Sequence, residues 1–196
     1  MRKTEQFEIP YIDFEIAASK PSKTWKFIYE WLDSLIFAFI TILIVFTFCF
    51  RIVGVSGESM VPTLQNGDRL IEWVLFYTPQ QGDTVILSEN TGLDEALVKR
   101  VIAVEGQTVD INENGEVLVD GSLLDEPYIY ETIDENHRGD WDYPVTVPEG
   151  HIFVMGDNRN HSTDSRFSEV GFVDEDEVIG KVVLRIAPVS SFGLID

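Results

Sequence analysis

Three segments of the chain carry side chains whose type and spacing could do chemistry. Ser59 stands in Ser56-Gly57-Glu58-Ser59-Met60-Val61-Pro62-Thr63-Leu64, between a glycine and a proline-containing turn. A glycine lets another backbone approach closely, so a hydroxyl beside it would be within reach of a peptide. The same serine could instead be the plain N-cap of a short helix over residues 59–64, with Pro62 in its early turn. Lys99 interrupts the apolar, β-branched run Leu97-Val98-Lys99-Arg100-Val101-Ile102-Ala103-Val104. Pointing inward, it would lose hydration, and its lowered pKa would leave a neutral amine able to take a proton. Pointing outward, it would be a solvated strand residue and Arg100 would face inward, because strand neighbours face opposite sides. Alternation does not choose between the two. The third segment, Met155-Gly156-Asp157-Asn158-Arg159-Asn160-His161-Ser162-Thr163-Asp164-Ser165-Arg166, follows the apolar stretch HIFVM. It reads either as a polar loop held by Asx-turns or as a scaffold of ion pairs, two arginines with two aspartates, behind a site. His137, His151 and His161 show no ligand spacing with cysteine or glutamate, and no phosphate-binding glycine motif occurs, so neither metal nor cofactor is expected.

Something must hold these segments in place. Residues 31–50 read WLDSLIFAFITILIVFTFCF, without charge from Leu35 onward. A helix of that length spans about 30 Å, a bilayer's hydrocarbon thickness. It lacks the polar stripe of a core helix. It is too long and starts too late for a cleavable signal peptide, and no small-x-small site flanks it. The expected organisation is a tail over residues 1–30, a signal-anchor helix over 31–50 and an extracytoplasmic domain over 51–196. Arg2, Lys3, Lys20, Lys23 and Lys26 precede the span, whereas Arg51 and then Arg69 follow it, which puts the N-terminus in the cytoplasm.

Beyond residue 51, short apolar stretches alternate with turn residues: RLIEWVLF after NGD, TVIL after QGD, ALVKRVIAV before EGQ, TVDI before NENG, then EVLVDG, HIFVMGDN and GKVVLRIAP. Strands of this length predict a β-barrel or sandwich with hairpins at ENG and VDG. A second short helix is expected over residues 174–178. Residues 70–77, LIEWVLFY, are either a core strand or an aromatic patch resting on a membrane surface.

The net charge of -20 argues against nucleic acid as a partner, which demands basic patches. Residues 51–196 hold nine basic and 28 acidic side chains, so the outer domain carries nearly all of that charge. With a single cysteine, Cys49, no intramolecular disulfide can form.

Taken together and in this order, SGESMVPTL, NGDRL, QGDTVIL, LVKRVIAVEGQTV and MGDNRNHSTDSR resemble the bacterial type I signal peptidases, a Ser/Lys family, from about residue 30 to residue 188. The short stretch between Lys99 and Gly156 is similar to the compact form of Gram-positive bacteria. The resemblance implies a mainly β fold: an N-terminal transmembrane helix followed by a β-barrel-like Ser/Lys peptidase domain with few short helices. It implies that Ser59 attacks the scissile carbonyl and that Lys99 acts as general base, then as acid toward the leaving amine. Ser162 would hold the Lys99 amine, Asp164 and Arg166 would form a structural salt bridge, and the Ser59 N–H would stabilise the oxyanion. Val53, Val55, Met60, Leu64, Leu97 and Val98 would line shallow apolar pockets. These suit signal peptides of preproteins with small residues at the first and third positions before the cut. The lipid bilayer is the other expected partner. Gly57 departs from Gram-negative members, which place a serine hydroxyl there. His161 replaces a common asparagine and raises a Ser-His alternative. Rival readings are a repressor-type Ser/Lys autoprotease, a membrane-anchored binding or assembly protein of the same fold, and a peptidase for a narrow substrate set.

Overall fold

The computed structural model describes residues 23–93 and 95–195. A helix, α1, runs over Lys23–Cys49, and its stretch Trp25–Cys49 has a mean hydropathy of 2.4, long and apolar enough to cross a membrane. It opens earlier than residue 31 because Trp25, Phe27, Ile28 and Tyr29 continue the apolar character toward the N-terminus. It ends one residue sooner than expected. Phe50 leaves the helix to pair with Trp73, its ring edge-on to the indole at 5.0 Å. The expected tail lies mostly in residues 1–22, outside the described residues.

Twelve strands follow among the described residues: β1 Phe50–Gly54, β2 Arg69–Trp73, β3 Thr84–Leu87, β4 Leu97–Val104, β5 Thr108–Ile111, β6 Val117–Val119, β7 Ser122–Leu123, β8 Val145–Thr146, β9 His151–Met155, β10 Val173–Asp174, β11 Val178–Ala187 and β12 Gly193–Leu194. They form an antiparallel sheet in the order β1-β2-β11-β3-β4-β9-β10, with β12 on β11, and a smaller sheet β7-β6-β5-β8. The chain is mainly β with one apolar N-terminal helix, as the residue pattern predicts. Register breaks in β11 and in the β4–β9 pairing bend the large sheet, as bulges do. The VDG hairpin is a tight one: Asp120 and Gly121 both take positive φ, 53° and 75°, as a two-residue turn with the right twist requires.

Every residue of β3, and all of β4 but its two half-buried positions Val98 and Val104, is buried, so these central strands have core on both faces. Val85, Leu87, Leu97 and Val101 pack on one side, and Ile86 joins Val55, Met60, Leu64, Leu70 and Val182 on the other. Each fully buried aliphatic side chain contributes roughly 1.5–3 kcal/mol, and that packing fixes which way the polar residues of β4 point.

Residues 59–64 do not form the expected helix. The segment is a pair of turns closed by Val61 N–H on Glu58 C=O and Leu64 N–H on Met60 C=O. Pro62 has no N–H to continue a ladder between them. Near residue 174 a single 3₁₀ turn, Glu175–Glu177, is capped by the Asp174 carboxylate on the Asp176 N–H at 2.9 Å. The stretch 70–77 divides: Leu70 and Glu72 are buried, while Trp73 and Phe76 are exposed and Phe76 sits at φ 52° in a turn beyond β2.

Glu72 is 1 % exposed, faces Val182 and Arg51 across the sheet, and neither carboxyl oxygen has a hydrogen-bond partner among the described residues. Burial pushes its carboxyl above the ordinary value, against the opposing pull of Arg51. An acid with a raised folded-state pKa contributes stability that is fully present below its unfolded value of 4.5 and is lost as pH rises through the folded value. The melting temperature of Glu72→Gln relative to the wild type should therefore climb as pH rises above 4.5. Parallel profiles for the two proteins would contradict this account.

Candidate active site

Strand β4 sets the geometry. Lys99 and Arg100 point to opposite faces, yet each is only 2 % exposed. Lys99 is therefore not the solvated strand residue of the second alternative, and Arg100 is buried on the opposite face as well. On its face Lys99 is flanked by Leu97 and Val101 and sits opposite Val85, all buried. Its Nζ donates to the Ser59 Oγ at 2.8 Å. Burial lowers the Lys99 pKa below the lysine range. The Asp164 carboxylate opposes that effect, the Arg166 guanidinium adds to it, and Glu95 and Asp157 oppose it more weakly.

The loop after β9 surrounds this pair. The Asp164 carboxylate is fully buried. Burial alone would raise its pKa, but Arg166 beside it, the Gly156 N–H and the Ser162 hydroxyl outweigh burial and hold it below the usual range. Arg166 Nε reaches Asp164 Oδ1 at 2.8 Å and Arg166 Nη2 reaches Oδ2 at 2.9 Å. The Ser162 hydroxyl donates to Asp164 Oδ2 at 2.7 Å, and the Lys99 amine bonds Ser59. Of the two arginines and two aspartates in the loop, only Asp164 and Arg166 pair with each other. Asp157 is bound by Arg100 at 2.8 and 2.9 Å, and accepts from the Thr63 hydroxyl at 2.5 Å. Arg159 is bound by Glu126, 33 residues upstream and in none of the motifs, at 2.5 and 3.0 Å.

A cleft of about 260 Å³ opens over Ser59 and Lys99. Val55, Met60, Leu97 and Val98 line it. Leu64 lies behind it, fully buried, and Val53 packs against the same core cluster without reaching the cleft. Sequence reasoning missed Glu58, Glu95 and Thr163 on the lining, because exposed polar residues in loops carry no periodic signal. His161 is exposed on the rim. Among the described residues no cluster of His, Cys, Asp or Glu could hold a metal ion.

Gly156 leaves no room for a side chain: a Cβ there would collide with the Ser162 hydroxyl and the Ser59 carbonyl. Gly156→Ala should displace the loop from Ser59 and cost about 100-fold in rate, the scale of a 1 Å misplacement. Arg166→Ala would strand a buried carboxylate and destabilise the fold by about 3–5 kcal/mol, measurable by denaturant unfolding. Wild-type turnover in the first variant, or wild-type stability in the second, would refute these roles.

Known proteins resemble this chain over most of its length. Residues 28–187 match the family described as signal peptidase, peptidase S26. The chain is 38% identical over 179 residues to a probable signal peptidase I-1 of Synechocystis, covering 86% of this chain and 87% of that one. It is 35% identical over 184 residues to signal peptidase IB of Staphylococcus aureus, covering 85% and 93%. A crystal structure of a signal peptidase I from Enterococcus faecalis superposes with a TM-score of 0.45 at 31% identity, over 54% of this chain and 97% of that one. By the length and level of these matches, the chain belongs to the signal peptidase family, peptidase S26, and is an enzyme of that type.

Proposed function

We propose that the chain is a membrane-bound serine endopeptidase that removes N-terminal signal peptides from exported preproteins with a Ser59/Lys99 dyad. The observation that carries this reading is the 2.8 Å contact between a buried lysine amine and a serine hydroxyl on the floor of a cleft. An ordinary lysine, with a pKa of roughly 10.4, is a poor base at neutral pH. Desolvation at Lys99 favours the neutral amine. That amine takes the Ser59 proton as the hydroxyl attacks the scissile carbonyl, then returns it to the leaving amine. Ser162, its own proton engaged by Asp164, offers a lone pair to the transient ammonium. The Asp164–Arg166 pair supports this arrangement from beneath. Small substrate side chains would fit against Val55, Met60, Leu97 and Val98.

The chain reads as a tail over residues 1–30, a single span over 31–50 with the N-terminus in the cytoplasm, and a peptidase domain over 51–196 outside. The outer face of the sheet supports a membrane attachment beyond the helix. Ile52, Ile71, Leu184 and Leu194 form one row across β1, β2, β11 and β12. Ile52 and Leu194 are 66% and 77% exposed, and the row continues into an apolar groove with Phe46 and Phe50 at the foot of α1. Phe76, 96% exposed, would dip into the same lipid surface. Sharing one bilayer with the substrate raises its effective concentration.

Cleavage of a preprotein with an Ala-x-Ala site by the full-length protein, lost in Ser59→Ala and Lys99→Ala, is the expected result. Lys99→Arg should also be inactive, because guanidinium stays protonated. No cleavage by folded wild-type protein would sink the reading, and a Lys99→Arg variant within a few-fold of wild type would sink the mechanism. The kcat/KM profile should rise with pH through the lowered Lys99 pKa, since the neutral amine is the base. Glu95→Gln, which removes a charge favouring the ammonium, should move that limb to lower pH; a limb that follows His161→Ala instead would replace Lys99 by the histidine. For the membrane face, a nitroxide at position 76 in the bilayer-reconstituted protein should be relaxed by oxygen more than by a water-soluble nickel complex. Equal relaxation to a label at Asn114 would place Phe76 in water.

A further inference from the structure

The loop after β9 does more than flank the dyad. Asn158 holds the backbone on both sides of the Glu58–Ser59 bond: its side-chain Nδ2 donates to the Glu58 C=O at 3.0 Å, and its own N–H donates to the Ser59 C=O at 2.9 Å. The Glu58 C=O and the Ser59 N–H belong to one peptide group. That group is trans and planar, so its N–H points opposite to its C=O. With the carbonyl held by Asn158 and, at 3.1 Å, by the Val61 N–H of the turn, the Ser59 N–H is turned away from Asn158. Among the described residues it donates to no acceptor.

Asn158 is itself held firmly. Asp157 before it is locked by Arg100 and Thr63, and Arg159 after it by Glu126 and the Gly156 C=O. Both flanking side chains are buried, and of the three residues Asn158 is the one that bonds the backbone at Glu58 and Ser59. Gly57, at φ 93°, contributes no hydroxyl beside the nucleophile.

From this geometry we infer that Asn158 is a positioning residue that aims the Ser59 N–H, through the Glu58 carbonyl, at the oxygen that becomes negative during acyl transfer. The inference rests on the reading of Ser59 as nucleophile. It deepens that reading by naming what orients the backbone donor. Donors preset toward developing charge act on the transition state more than on the bound substrate. Loss of the Asn158 amide should therefore lower kcat and leave KM nearly unchanged. The donor survives in such a variant and only its direction is relaxed, so the expected loss is about 10- to 100-fold, less than for outright removal of a donor.

The test uses the full-length protein in detergent, as wild type, Asn158→Ala and Asn158→Asp, the last keeping the shape but not the Nδ2 donor. Preprotein cleavage gives kcat and KM. Affinities are measured for a peptide boronate, whose tetrahedral adduct on Ser59 carries an oxygen where the oxyanion forms, and for the matching product peptide. The expected result is a fall in kcat and boronate affinity of about tenfold or more in both variants, with KM and product affinity within about threefold. Equal weakening of boronate and product, or kcat within about twofold of wild type, would overturn the inference while leaving the peptidase reading intact. Variants that are unfolded at the assay temperature would make Asn158 a structural residue and overturn it too. A folded wild type that cleaves nothing would remove the reading and the inference together.

Discussion

Lys99 is kept from water, and much of the rest of this structure follows from that constraint. Lys99 can be dry only on a strand with core on both sides, and β4 occupies that position between β3 and β9. Its amine then needs a partner, because an unmet polar group in such surroundings costs free energy, and Ser59 is that partner. The charges around it are balanced one against another rather than by solvent. Asp164 pulls the lysine toward its charged form and Arg166 pushes it back, with the two locked to each other. Burial is the largest of these influences and decides the direction.

The same dryness explains why so much of the molecule serves one contact. Ser59 comes from a turn after β1, Lys99 from β4, and the residues that hold both come from the loop after β9. Polar loops cannot pack by hydrophobic contact alone. Here they are fastened by ion pairs that are nearly or fully excluded from solvent, Arg100–Asp157, Arg159–Glu126 and Asp164–Arg166. Buried pairs of this kind contribute little to net stability, because desolvation offsets their attraction, but breaking one is costly. Their value lies in directing backbone groups, as Asn158 does at the Ser59 peptide.

The residues of the site were legible in the amino-acid sequence where type and setting contradict each other. A lysine inside a β-branched run and a serine between a glycine and a proline turn are conspicuous for that reason. The mainly β fold was legible from short apolar stretches between turn residues, and the long apolar helix from its lack of charge. What was hidden depends on contacts between distant segments. Periodicity states that Lys99 and Arg100 face opposite ways but not that both faces are covered, since that depends on what packs above and below β4. Arg159 finds Glu126 and Asp157 finds Arg100 across long loops that no local pattern relates. The helix expected over residues 59–64 failed for a local reason: with Pro62 unable to donate, the backbone settled into turns.

The surface and the interior differ in how they meet dissolved ions. The chain carries a net charge of -20, most of it on exposed loops, where salt at about 0.15 M screens interactions beyond about 8 Å. The Asp164–Arg166 side chains have no exposed area, and Arg100–Asp157 has next to none. Counterions cannot come between those partners. An organism whose surroundings change in salinity would alter the approach of charged substrates to this surface, while the electrostatics that hold Lys99 and Ser59 in contact stay as they are.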